Sequence, residues 1–136
     1  MNVTIIDGQG GQLGAQLVKE ISARFENINI TAIGTNAIAT STMLKAGAKN
    51  VATGENAVCV ACRRADVIIG PIGIVIADSL LGEITEKMAV AVGQANAVRI
   101  LIPINKCDNI VVGVPNLNTK ALIDDTISRL NEIINN

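Results

Sequence analysis

Asp7-Gly8-Gln9-Gly10-Gly11-Gln12-Leu13-Gly14 joins a short apolar run, Val3-Thr4-Ile5-Ile6, to a stretch with helical spacing through four glycines. A strand that ends in small residues lets backbone N–H groups approach a pyrophosphate, and the positive end of the next helix favours the negative charge. The stretch predicts a ligand class, a phosphate-bearing nucleotide or dinucleotide, and does not name a reaction. Asp7 is expected to brace the loop by accepting backbone N–H bonds.

Outward from the loop, strand and helix patterns alternate. Asn2 to Asp7 reads as a buried strand, and Leu13, Leu17, Ile21 and Phe25 recur every four residues as one apolar helical stripe. Ile28 to Ile33 reads as a second strand ending at Gly34-Thr35-Asn36, followed by a helix over Ala37 to Ala46 that Gly47 stops. Asn50 to Ala52, a short helix over Asn56 to Arg64, and Val67 to Ile69 continue the series. Gly70-Pro71-Ile72-Gly73 breaks the fourth strand, and Ile74 to Leu81 fits either a buried helix or a loop. A helix over Thr85 to Asn96, a strand over Arg99 to Pro103, a sixth strand at the sheet edge over Ile110 to Val114, and a last helix capped by Asn118 complete the reading.

Such alternation predicts an α/β protein: one Rossmann-like domain over residues 1–136, with a doubly wound, mostly parallel sheet of six strands in the order 3-2-1-4-5-6. In that order the ligand crevice opens where the winding reverses, between the carboxyl ends of strands one and four. Position therefore nominates Gly8, Gln9, Gly10, Gly11, Gln12, Leu13 and Gly14, then Thr35 and Asn36 for a ribose, Gly70, Pro71, Ile72 and Gly73 on the fourth strand's exit, and Asn105 and Lys106 on the fifth's.

Composition narrows the chemistry. Hydrophobic residues make up 49% and charged residues 17%, against a usual charged share of about 25%, so a second copy is expected to cover part of the surface. Eleven basic and twelve acidic residues leave a net charge of −1 without a basic stripe, which argues against nucleic acid. The strand pattern begins with no basic leader before it, and the longest apolar run, Val67 to Ala77, is too short to cross a bilayer, so a soluble cytoplasmic protein with no membrane partner is expected. With no His, Tyr or Trp and Phe25 as the one aromatic residue, Ser-His-Asp chemistry is excluded and base stacking nearly so. Proton transfer in an enzyme would fall to Asp, Glu, Lys or Cys, for which Asp78, Glu83 and Lys106 are the candidates. Asp78 and Glu83 sit in or beside the most apolar stretch, where burial would raise a carboxyl pKa; capping or an ion pair at an interface is the competing role.

Glycines 8, 11 and 14 form G-x-x-G-x-x-G, which resembles the loop of extended short-chain dehydrogenases and of dihydrodipicolinate reductases. That resemblance implies NAD(P), but the acidic residue due at the end of strand two is replaced by Gly34-Thr35-Asn36, no arginine stands there for a 2′-phosphate, and the Tyr-x-x-x-Lys pair is impossible. Asn105-Lys106-Cys107-Asp108 looks like the guanine motif of GTPases, yet no lysine or Ser/Thr follows Gly14 to seat a triphosphate and magnesium. Cys59 and Cys62 have C-x-x-C spacing but fall inside a helix, where packing is the expected role; no metal site is expected.

Taken together, Gly34 to Thr40, Ala46-Gly47-Ala48, Gly70 to Ile74 and Pro103 to Cys107 resemble a family of short bacterial proteins of unknown function, frequent in clostridia. The resemblance spans most of the chain and implies a Rossmann-like fold and a bacterial cytoplasm, with no activity or cofactor attached. Three functions stand open: a nucleotide-binding module in sensing or regulation, a small enzyme acting on a phosphorylated or carboxylated metabolite, and an oligomeric assembly subunit with an empty crevice.

Overall fold

The computed structural model describes residues 1–104 and 108–136. Strands β1 (Asn2–Asp7), β2 (Asn29–Gly34), β3 (Asn50–Thr53), β4 (Val67–Pro71) and β5 (Val98–Ile102) alternate with helices α1 (Gln12–Arg24), α2 (Ala37–Lys45), α3 (Glu55–Arg64), α4 (Glu86–Gln94) and α5 (Thr119–Ile134). All the ladders are parallel and the sheet order is β3-β2-β1-β4-β5. This is the Rossmann-like α/β arrangement that the alternation predicts, with β1 at the centre and the chain reversing between β1 and β4.

Period-two alternation in β1 sends side chains to two cores. Val3 and Ile5 face α1, α2 and α5, where Leu17, Ile21, Met43, Ile127 and Leu130 are buried with them. Ile6 faces α3 and α4 among Ile33, Val58, Ile68, Met88 and Val92. Parallel strands covered on both faces read as near-continuous apolar runs, which is why β4 is buried at all five positions. Helix starts follow local chemistry: the side chains of Asn36, Thr85 and Asn118 accept from the amides of Ala39, Met88 and Ala121. Among the described residues no helix is long and apolar enough to cross a membrane.

Two expectations are corrected. The described residues give five strands, because Ile110 to Val114 joins no ladder and Ile110 and Val112 are each 92% exposed. The link from Ile102 to Ile110 is far shorter than the dozen or so residues that a parallel crossover needs, so the segment cannot extend its own sheet in parallel. The piece Ile74 to Leu81 is neither helix nor plain loop: a 3₁₀ turn over Ile72–Val75 runs into successive tight turns. Asp78, Leu80 and Leu81 all have positive φ there.

Cys62 is 3% exposed within the α3–α4 core. Burial, and secondarily Cys59, pushes its thiol up to about 11, the behaviour of a packing residue. Iodoacetamide at mildly alkaline pH is therefore expected to leave Cys62 unmodified until the protein is denatured, as read by peptide mass spectrometry. Alkylation of the native protein at the rate of a free thiol would refute the packing role.

Candidate functional site

The glycine loop leaves β1 at Asp7, whose carboxylate turns back under it. Asp7 Oδ1 accepts from the Gly8 amide at 2.8 Å and Oδ2 from the Gly14 amide at 2.7 Å, so one buried side chain ties both ends of the loop. Burial raises the Asp7 pKa, with the two amide bonds pulling against it and the nearby charge of Glu83 adding to the rise. The Gly11 amide closes the turn on the Gly8 carbonyl at 2.9 Å, and the Gly11 carbonyl starts α1 by accepting from Ala15 at 2.9 Å.

Each glycine answers a different contact. Gly11 has φ +76, and a Cβ on it would lie 2.7 Å from the Ala39 Cα, so this position joins α1 to α2. A Cβ on Gly14 would meet Met43 Sδ at 2.5 Å and Asp7 Cβ at 2.9 Å, which makes Gly14 the close-packing glycine and removes it from the ligand surface. Gly8 lies against Thr35 Oγ1, Leu80 and Glu83. Gly10 alone in the loop has nothing within 4 Å of its would-be Cβ.

Above the loop sits Glu83, delivered by the strained turns after β4. Its carboxylate accepts from the Gln9 amide at 3.0 and 3.3 Å, the Thr35 hydroxyl at 2.7 Å and the Asn36 side-chain amide at 2.6 Å. Burial pushes this carboxyl up, but the bonds from Gln9, Thr35 and Asn36 together outweigh that and hold it below its ordinary value. Asn36 is fully engaged: Oδ1 caps α2 on the Ala39 amide at 2.8 Å, and Nδ2 also donates to the Gln9 carbonyl at 3.0 Å. Thr35 and Asn36 thus stand at the end of β2 where expected, but their polar groups meet Glu83 in place of a free ribose position.

The burial expected of the two acidic candidates is corrected as well. Asp78 is exposed at a positive-φ turn, and the Glu83 carboxyl is lowered instead of raised. Lys106 and Asn105 lie outside the described residues, as does Cys107.

What remains open is a cleft of about 270 Å³ on the other side of the loop, lined by the loop from Asp7 to Leu13 with Gln16, Pro71, Leu80, Ile104 and Thr119. It lies between the amino ends of α1 and α5. The amides of Gly10, Gln12 and Leu13 have no acceptor among the described residues, and Gly11, the cap residue of α1, makes no side-chain cap. Three donors without an acceptor among the described residues thus belong to residues that line one small cavity at the α1 amino end. Of the nominated residues, Gly8 to Leu13 and Pro71 line this cleft; Gly70, Ile72 and Gly73 do not. A Cβ on Gly70 would run into the Ile6 carbonyl, and Gly73 accommodates Ser79, so both serve packing. Leu80, Gln16 and Thr119 escaped the sequence reading because long-range packing, not a local motif, brings them here.

A family model matches residues 2–135, nearly the whole chain. The chain belongs to the family described as a domain of unknown function, DUF3842. No match was found among curated proteins or among solved structures. Membership agrees with the uncharacterised-family resemblance carried by Gly34 to Thr40, Ala46-Gly47-Ala48, Gly70 to Ile74 and Pro103 to Cys107, and the site geometry has to supply any chemistry for this family member.

Two outcomes test the double clamp on the loop. Asp7→Asn keeps the shape but sets an NH₂ against a backbone donor, so it should lower stability by about 1–3 kcal/mol in urea unfolding despite the raised pKa; an unchanged midpoint would remove Asp7 from this role. For Glu83, a folded pKa below the ordinary 4.5 contributes stability that is present above that value and lost as pH falls through the folded pKa. Acid melting curves of Glu83→Gln should therefore lose less stability below pH 4.5 than the parent protein does. Parallel curves would break the assignment.

Proposed function

We propose that this chain is a cytoplasmic, bacterial, homo-oligomeric Rossmann-like module that binds the phosphate of a nucleotide-type ligand, in a sensing or regulatory role. The observation that carries the reading is the set of amides at Gly10, Gln12 and Leu13 that have no acceptor among the described residues and belong to residues lining the cleft beside the α1 amino end. Phosphate oxygens would accept from these amides while the helix dipole favours the charge. No Lys or Arg lines the cleft among the described residues, so the anion would rest on main-chain amides and on the neutral donors of Gln9, Gln12, Gln16 and Thr119.

Cleft size limits the ligand. About 270 Å³ falls just under the usual range of roughly 300–1,000 Å³ for small-molecule sites, which suits a phosphate with one attached group better than a whole dinucleotide. NAD(P) would need the polar groups of Thr35 and Asn36, and Glu83 holds them. A dinucleotide therefore binds in this reading only with Glu83 displaced, which ties occupancy to movement of the turns at Asp78 to Glu83.

Gly10→Val provides the cleanest probe, because the added side chain meets open space, whereas any side chain on Gly11 strikes the Ala39 backbone. The parent protein should melt at a higher temperature with saturating mononucleotide, by about 2.7 kcal/mol of added stability at a hundredfold excess over Kd. Gly10→Val should keep the unliganded melting temperature and lose that shift. A parent protein that no nucleotide stabilises would favour the assembly-subunit reading.

A further inference from the structure

Among the described residues, the β5 edge of the sheet has no strand against it. β5 pairs only with β4 among the described residues, so its outer rim carries unmatched N–H and C=O groups. Exposed edges are ordinarily blunted by shortness, proline, lysine or a bulge. The opposite edge follows that rule: β3 has four residues and presents Asn50 and Thr53. Val98-Arg99-Ile100-Leu101-Ile102 has no proline and no lysine, Val98 is half exposed, and the one charge, Arg99, is turned onto the Ala95 carbonyl at 2.9 Å.

A groove of about 390 Å³ runs along this edge between β5 and α5, with Val98, Ile100, Leu122 and Ile133 as its apolar lining. Of its charged lining, Arg129 pairs with Asp125 at 3.5 Å and with Glu132 at 3.7 Å, and Arg99 donates to the Ala95 carbonyl. An uncharged, strand-forming segment could therefore seat there with those contacts kept.

The same chain holds such a segment. Ile110-Val111-Val112-Gly113-Val114 is an uncharged run that in a strand would set Ile110, Val112 and Val114 on one face, and Ile110 and Val112 are each 92% exposed. Gly113, at φ +80, turns the chain here, and pairing would extend that turn. No charge occurs from Asn109 to Asn118, and Pro115 would end the strand. We propose that residues Ile110 to Val114 of one copy add as the edge strand to β5 of a second copy, with the exchange made reciprocally in a two-fold dimer. Reciprocity covers both bare edges and both exposed segments at once, the closed arrangement that isologous contacts favour. This specifies the homo-oligomer of the reading above and does not depend on its ligand.

Light scattering after size exclusion tests it, using the parent, Val112→Asp and Val98→Lys. Both substitutions fall on exposed side chains, so circular dichroism should stay that of the folded parent. The parent should run as two chains, and each variant as the 14.1 kDa of one. An equal mixture of the two variants should recover dimer, because wild-type β5 on the Val112→Asp copy meets the wild-type segment on the Val98→Lys copy. A monomeric parent, or a dimer indifferent to both substitutions, would overturn the proposal. Neither result bears on the nucleotide shift, which the Gly10→Val comparison reads separately.

Discussion

The clasp of Asp7 on the amides of Gly8 and Gly14 is the contact on which the rest of the molecule turns. It sits at the exit of the central strand, and it fixes the angle at which α1 returns over the sheet. Both oxygens are used, each on a donor that would otherwise be orphaned at a loop or helix start. The cost is burial of a carboxylate, visible as a raised pKa, yet the position has no cheaper substitute. A hydroxyl or amide oxygen cannot reach two amides six residues apart with the same strength, since bonds to a charged acceptor are about twice as strong as neutral ones.

Glu83 holds the loop from the opposite side, and the chain bends hard to put it there. Asp78, Leu80 and Leu81 adopt left-handed backbone, at a cost of roughly 1–2 kcal/mol each. Against this stand burial of Leu80, at 4% exposure and about 1.5–3 kcal/mol, and charge-assisted bonds to Glu83 of a similar size. The segment is also held by its own turn bonds, by the Ser79 hydroxyl on the Gly73 carbonyl and by burial of Ile84. The Glu83 carboxylate adds the link to the loop, and it occupies the polar groups at the end of β2. The loop is thus ordered before any ligand arrives, with its amides divided: Gly8, Gln9, Gly11 and Gly14 serve the fold, and Gly10, Gln12 and Leu13 are left over.

Local signals were the legible ones. The β1–loop–α1 unit, the order of the first five strands and the Asn118 cap follow from glycine placement, apolar period and capping chemistry within a few residues. Ile110 to Val114 has the β-branched alternation of a strand, but periodicity records fitness for a sheet and is silent on whether one lies within reach. Thr35 and Asn36 stand at the end of β2 as read from the sequence; their partner Glu83 could not be read, because it lies 48 and 47 residues further along the chain. The α2 contacts of the glycines were hidden for the same reason: Met43 fills the space beside Gly14 and takes it off the ligand surface, and Ala39 stands against Gly11, which still lines the cleft.

The shortage of charge ties these observations together. A domain with 17% charged residues commits two of its twelve acids to the loop, Asp7 buried and Glu83 half-buried. The loop has no cationic side chain among the described cleft residues, which leaves main-chain amides and the neutral side chains of Gln9, Gln12, Gln16 and Thr119 as the donors for an anion. The β5 edge has no lysine to repel a neighbouring strand, which leaves pairing as the way to satisfy its backbone. Both surfaces that could meet a partner therefore offer main-chain groups, and recognition at either would rest largely on main-chain hydrogen bonds, joined in the cleft by neutral Gln and Thr side chains and at the edge by apolar ones.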